Sequence, residues 1–203
     1  MHKKLAIIGY SGHSYVCINA ALLCGFEITG YFDVKKKLNP YDLKFLGSDN
    51  NTDYSGQMFI CVGDNRRRKT IYSRTSNTKL LSTSIIHPNS TISTDFNINP
   101  QTFISAHVLI NPKVKIGKGC IINSASVLEH ECKIGDFTHI APNVTLCGNV
   151  TIGNNCFIGA GAIIIQGITI GNNVTVGAGS VVLKNVKNNC TVYGNPARLK
   201  RNN

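Results

Sequence analysis

Every sixth residue from Ile86 to Val182 is aliphatic. The series runs Ile86, Ile92, Ile98, Ile104, Ile110, Ile116, Ile122, Leu128, Ile134, Ile140, Leu146, Ile152, Ile158, Ile164, Ile170, Val176, Val182, and it stops at Asn188. A period of six is neither the 3.6-residue period of a helix nor the alternation of a plain strand. It fits a short strand and a turn, repeated, with three such units closing one triangular coil. Each aliphatic residue then stacks on its counterpart one coil away and fills an edge of a parallel β-helix. A second row lies two positions earlier and is small or β-branched: Val114, Cys120, Ser126, Cys132, Thr138, Val144, Val150, Cys156, Ala162, Val174 and Ser180. It suits a narrow inward position. Gly117, Gly135, Gly153, Gly159, Gly171 and Gly177 each follow an aliphatic member and are expected to supply the freedom for a tight corner. Five to six coils at about 4.8 Å each give a prism on the order of 25–30 Å tall. The series needs no insertion, so no long loop is expected to leave the prism.

The segment before the repeat has a different texture. Lys4–Gly9 reads as a buried strand, Gly9-Tyr10-Ser11-Gly12-His13-Ser14 as a glycine-containing turn, and Tyr15–Cys24 as a helix. Glu27–Phe32 reads as a second strand ending at Asp33, and Gln57–Val62 as a third, followed by Gly63-Asp64-Asn65-Arg66-Arg67-Arg68 opening another helix. This is a Rossmann-like strand–turn–helix–strand unit that lacks the third glycine of a dinucleotide fingerprint. Backbone N–H groups at two helix starts favour a phosphate, and ordinary βα turns are the alternative. The polar stretch near 38–56 reads as a surface loop, and 76–84 as a linker into the prism. The expected organisation is a small α/β domain at 1–82, a β-helix at 83–186 and a tail at 187–203.

The formal charge is +11. Such an excess draws phosphorylated ligands. The basic residues are scattered, without the interleaved aromatics of a nucleic-acid platform, so nucleic acid is not expected as a partner. No apolar run is long enough for membrane insertion, and Leu5–Gly9 is too short for a secretory signal. Eight cysteines occur without a CxxC pair or scaffold spacing, which points to reduced cysteines in a cytoplasmic protein.

The repeat frame also sorts the polar residues of one segment, Asn123 to His139. Leu128 and Cys132 point inward, so His130 and Glu131 lie outside the core at a corner. His139, between inward Thr138 and Ile140, faces outward too. One coil above His130 stands Gly148, which leaves room for a ligand and exposes an N–H.

These features resemble the PglD family of bacterial sugar acyltransferases across nearly the whole chain. The resemblance rests on the Gly9-to-His13 turn, the strand end at Asp33, Gly63-Asp64-Asn65 with Arg68, and His87-Pro88. It rests further on Asn123 with Glu129-His130-Glu131, on Gly148-Asn149, and on Gly194-Asn195-Pro196-Ala197. Tyr10 and Ser11 depart from the family pattern. The resemblance implies a left-handed β-helix, a homotrimer with sites between neighbouring prisms, and no metal. It implies acetyl transfer from acetyl-CoA to the 4-amino group of a nucleotide-linked 4-amino-4,6-dideoxy sugar, UDP-linked in the first instance. His130 would be the general base, oriented by Glu131 with Glu129 as a rival, and the Gly148 N–H would bind the thioester oxygen. Asn123, His139 and Gly148 would hold acetyl-CoA. Gly12, His13, Asp33, Lys35, Gly63 and Asp64 would bind the nucleotide sugar. Three other readings remain. One is a sialic-acid-type O-acetyltransferase of the same fold. Another is a zinc hydratase of the carbonic anhydrase kind using His107, His130 and His139, whose spacing does not match that family's. The last is a binding module without catalysis.

Overall fold

The computed structural model describes residues 3–50, 54–75 and 81–202. A small α/β unit comes first, with β1 at Lys3–Ile8, α1 at Gly12–Leu23, β2 at Phe26–Phe32, β3 at Phe45–Gly47, β4 at Gln57–Ile60 and α2 at Asn65–Arg74. The strands are parallel in the order β3-β2-β1-β4. The central strand β1 reads Leu5-Ala6-Ile7-Ile8 with all four buried, because both faces of the sheet are covered. Leu5 and Ile7 pack with Cys17, Ile18, Ala20 and Ala21 of α1. Ala6 and Ile8 pack with Ile71 of α2 on the opposite face.

The expected strands and helices are present with shifted ends. The helix α1 starts at Gly12, three residues before the apolar pattern begins, because Ser14 Oγ accepts from the N-cap Ser11 N–H at 2.8 Å and ties down the first turn. The stretch near 38–56 contains a strand, contrary to the loop expectation. Phe45 pairs with Tyr31 at the sheet edge, and both rings join one aromatic cluster. Part of the expected linker, residues 76–80, lies outside the described residues.

From Ile85 the chain winds as a parallel β-helix with three faces of eight, six and four strands. Ile121 pairs with His139 and Ile122 with Ile140, an offset of eighteen residues that recurs along the prism. No segment leaves the prism between Ile86 and Val182, as the uninterrupted series requires. Both inward rows are buried from Ile104 onward and form one continuous core. Ile98 departs from the pattern: it lies outside any strand and is 37% exposed, because the four-strand face begins only at Lys115–Ile116. At the other end the offset shortens to sixteen, with Thr175 opposite Thr191. An antiparallel hairpin, Cys190–Gly194 with Ala197–Asn202, closes the prism.

The corner glycines do a different job from the one expected. Gly117, Gly135, Gly153, Gly159, Gly171 and Gly177 do not have positive φ. The left-handed residue of each corner lies two positions further on, at Ala125, Glu131, Phe137, Asn143, Asn149, Asn155, Gly161 and their equivalents. What the earlier glycine provides is clearance. A Cβ at Gly153 would lie 2.7 Å from the backbone of Gly171 and Asn172 in the next coil.

The α/β unit sits on the eight-strand face. Outward side chains one coil apart form a column there: Ile85, Phe103, Ile121, His139, Phe157 and Thr175. The first three are buried against α1. The last three emerge beyond it, and the cleft described next opens over them. Among the described residues no helix is long and apolar enough to cross a membrane.

Candidate active site

At the end of β1, Gly9 turns with φ +90°, and a Cβ there would lie 2.6 Å from Val62 Cγ2. The turn is tied to the end of β2: Tyr10 N donates to Asp33 Oδ2 at 2.7 Å, and Val34 N to Asp33 Oδ1 at 2.7 Å. Lys37, not Lys35, completes the ion pair with Asp33 at 2.7 Å, and Lys35 is exposed. Burial works against the Asp33 carboxylate, yet Lys37 and the two N–H groups hold it below its ordinary pKa.

The Gly63 turn is fastened to the prism. Asp64 caps α2 by accepting from Arg67 N at 2.7 Å. Asn65 Nδ2 donates to the Cys156 carbonyl at 2.7 Å. Arg68 is 1% exposed, and among the described residues no carboxylate lies within ion-pair distance of it. Its guanidinium donates instead to the carbonyls of Gly119 and Phe137 on the prism, to Val62 and Gly63 on the turn, and to Asn65 Oδ1. Burial lowers its pKa to about 10, so it stays charged at neutral pH. It bolts the two units together.

Between the turn and the prism lies a cleft of about 510 Å³, lined by Gly63 to Arg66 on one wall and by His139, Asn155, Phe157, Asn173 and Thr175 on the other. His13 borders it. A Cβ at Gly63 would lie 3.8 Å from His13 Cβ, and the His13 and His139 rings are 6.3 Å apart. Cys17 Sγ lies 3.4 Å from His13 Nε2. Asn123 Nδ2 is 3.3 Å from His139 Nε2. Burial first, then Arg68 and His13, depress the His139 pKa to about 3, although the nearby Gly63 backbone offsets part of the shift.

A second cluster lies at another edge of the prism, at the turn between Val127–Leu128 on the six-strand face and Lys133–Ile134 on the four-strand face. His130 and Glu131 are each 60% exposed, and His130 Nδ1 lies 3.1 Å from Glu131 Oε2. Glu129 is engaged elsewhere, accepting from Asn111 Nδ2 at 2.8 Å. The Nε2 side of the imidazole rests over Gly148, where a Cβ would lie 2.6 Å from Cε1 and Nε2. Asn149 N donates to the His130 carbonyl and Gly167 N to the Gly148 carbonyl. The Gly148 N–H has no acceptor among the described residues. One corner thus offers a basic nitrogen, a carboxylate behind it, and a free N–H beside it.

Apart from the exposed Lys35, the expected residues therefore fall into two groups. His13, Gly63, Asp64, Asn123 and His139 gather at the cleft, with Gly12 and Asp33 supporting its β1 turn, while His130, Glu131 and Gly148 gather at the corner. His139 and Asn123, expected to hold acetyl-CoA together with Gly148, stand beside the Gly63 turn, away from His130 and Gly148 of the same chain. Asn155, Phe157 and Arg68 are missing from the residues expected at a site. Asn155 falls on the left-handed corner position, where asparagine is common for backbone reasons alone, so its sequence carries no separate signal. Among the described residues no three His, Cys, Asp or Glu side chains group as a metal site needs.

The hexapeptide prism and its His–Glu–glycine corner define an acyltransferase. Residues 4–75 match the family described as PglD N-terminal domain. Residues 113–148 match bacterial transferase hexapeptide repeats, and 149–184 match the hexapeptide repeat of succinyl-transferase. The acetyltransferase domain of PglB from Neisseria gonorrhoeae FA1090 is 30% identical, with 98% of this chain and 100% of that one covered and a TM-score of 0.91. PerB from Caulobacter crescentus, crystallised with CoA and GDP-perosamine, is 30% identical with 98% and 97% covered and a TM-score of 0.92. A GDP-perosamine N-acetyltransferase from Escherichia coli O157:H7 is 33% identical over 84 residues, which span 41% of this chain and 38% of that protein. The chain belongs to the PglD-like sugar N-acetyltransferase family.

Proposed function

We propose that the protein transfers acetyl from acetyl-CoA to the 4-amino group of a nucleotide-linked 4-amino-4,6-dideoxy sugar. The observation that carries this reading is the free Gly148 N–H beside the His130 imidazole, which Glu131 backs at 3.1 Å. The carboxylate engages Nδ1, so Nε2 is the working nitrogen. It takes a proton from the sugar amine as the amine nitrogen attacks the thioester carbonyl. Charge develops on the carbonyl oxygen, and the Gly148 N–H is positioned to receive it. The C–S bond then breaks, and the CoA thiolate leaves with the proton held by the imidazolium. Relatives crystallised with acetyl-CoA, or with CoA and GDP-perosamine, support the two co-substrates. The nucleotide is GDP in one of these, so GDP-linked sugars stand beside the UDP-linked ones that the sequence resemblance favours.

The cleft fits the nucleotide sugar. Its wall from Gly63 to Arg66 is a helix start, which favours phosphate. The His130 corner lies at a different edge of the same prism, so a complete site needs the corner of a neighbouring copy. A homotrimer supplies it. The eight cysteines are free thiols, which supports a reducing, cytoplasmic setting.

The direct test combines the protein, acetyl-CoA and a panel of UDP- and GDP-linked amino sugars, with mass analysis of the products. One sugar should gain an N-acetyl group. His130→Ala should lower kcat by roughly a thousandfold or more while ligand binding survives. Gly148→Ala, whose methyl group would strike the His130 ring, should lower it by about a hundredfold. Transfer only to a sialic acid would replace this reading with O-acetylation. Near wild-type turnover by His130→Ala would remove the assigned base.

A further inference from the structure

Among the described residues two buried side-chain atoms lack a hydrogen-bond partner, His139 Nδ1 and Asn155 Oδ1. Both residues line the same cleft. Buried polar atoms are nearly always paired in native proteins, so two orphans on one wall mark a place where a ligand completes the bonding.

The surrounding network fixes what each orphan offers. Ser124 N donates to Asn123 Oδ1 at 2.9 Å, which turns the Asn123 amide nitrogen toward His139 Nε2 at 3.3 Å. Nε2 therefore accepts, and the proton of the neutral ring sits on Nδ1. Burial, with Arg68 and His13, keeps that ring neutral. His139 thus presents one N–H donor; the Gly63 backbone lies near enough to raise the ring's pKa part of the way but does not meet it in hydrogen-bond geometry.

Asn155 is the foot of an asparagine ladder. Its Nδ2 donates to Asn173 Oδ1 at 2.9 Å, and Asn173 Nδ2 donates to Asn189 Oδ1 at 2.9 Å. All three residues occupy left-handed corner positions, and one coil earlier that position is Phe137. The amides run in one direction, and phenylalanine gives the ladder no lower rung. Asn155 Oδ1 is left as an open acceptor. Phe157, 40% exposed, stands beside these groups with its ring edge-to-face with His139 at 5.2 Å.

We propose that the cleft reads the hydroxyl pattern of the acceptor sugar through one donor, His139 Nδ1–H, and one acceptor, Asn155 Oδ1, with Phe157 against an apolar ring face. This rests on the functional reading above. A carboxylate or phosphate oxygen would meet the Asn155 oxygen unfavourably, and an ammonium would meet the His139 N–H unfavourably. Sugar hydroxyls both donate and accept. So do the amides of the CoA pantetheine arm, and the experiment separates the two.

Steady-state kinetics would be run on the wild type, Asn155→Leu and Asn155→Asp, with the nucleotide-linked amino sugar and its single-deoxy analogues. The wild type should prefer the full sugar over one deoxy analogue by roughly tenfold to a hundredfold in kcat/KM. Asn155→Leu should erase that preference, with KM for acetyl-CoA within about twofold of wild type. Asn155→Asp keeps an acceptor oxygen but also loses the ladder bond. Retained preference in this variant assigns the effect to the ligand and not to the ladder. Asn155→Asp also serves if Asn155→Leu does not fold: loss of the preference there overturns the proposal. An unchanged preference in Asn155→Leu overturns it, as does a rise in KM confined to acetyl-CoA, which would mean that the pantetheine arm fills the cleft. A wild type that acetylates no amino sugar overturns both this proposal and the functional reading.

Discussion

His139 stands in the outward column directly above Ile121, and that position governs its chemistry. The neighbours that enclose it leave the imidazolium poorly solvated, and its pKa falls to about 3 against an ordinary value near 6.5. Between those two values the unfolded chain binds a proton that the folded chain refuses. Stability is therefore full above pH 6.5 and declines as pH drops towards 3, by at most about 1.4 kcal/mol per unit. Urea unfolding at pH 7 and pH 4.5 should show a loss of roughly 2 kcal/mol that His139→Gln largely abolishes. Parallel losses in the two proteins would mean that His139 is solvated in both states. The repeat frame distinguished this histidine only as outward-facing, and its expected place at acetyl-CoA came from the family resemblance. The same frame sufficed for His130, Glu131 and Gly148, because a regular repeat converts residue number into position on the prism. It could not choose between Glu129 and Glu131. That choice depends on Asn111 one coil earlier, which takes up Glu129. Nor could it show that Lys37 rather than Lys35 reaches Asp33, since the bend after β2 has no repeat to index it.

The coil itself separates two kinds of glycine that look alike in the sequence. Gly153 follows an aliphatic member and has no room for a Cβ, the nearest backbone atoms of the next coil being 2.7 Å away. Gly161 occupies the left-handed corner with φ +68° and open space around it. Gly153→Ala forces the coils apart and should cost about 2–4 kcal/mol, as other overpacked or strained sites do. Gly161→Ala meets only the backbone penalty of about 1 kcal/mol. Gly161→Asn should lie within about 0.5 kcal/mol of wild type, since asparagine tolerates this conformation and already fills the equivalent corners at Asn143, Asn149, Asn155 and Asn173. Denaturant midpoints of the three variants give the order. A Gly161→Ala variant weaker than Gly153→Ala would return the principal role to φ. Hydrophobic periodicity revealed the coil but not this division, because period six records which residues face inward and says nothing about clearance between coils. The edge strand at Phe45–Gly47 was hidden for a related reason. Three residues are too few to show a period, and the strand forms only because Tyr31 offers it a partner.

At the scale of the molecule, Arg68 and the buried column of Ile85, Phe103 and Ile121 lock the α/β unit to one face of the prism. That fixes the cleft on the eight-strand face, while His130 projects from the edge between the other two. On the proposed function, a sugar held in the cleft would have to reach the His130 of another copy, and this can be tested without a structure of the assembly. Gly63→Trp fills the cleft and leaves the corner intact, whereas His130→Ala removes the proposed base and leaves the cleft intact. Each alone should be nearly inactive. Co-expressed in equal amounts and purified through two different tags, they form mixed assemblies. An interface works when a His130→Ala copy provides the cleft and a Gly63→Trp copy provides the corner. After two-tag purification every trimer contains both variants, and in either ratio one of its three interfaces is productive. Mixed preparations should therefore recover roughly a third of wild-type activity, with sedimentation showing three chains per particle. If each site were built within a single chain, mixing would restore nothing, since every chain would still carry a broken half.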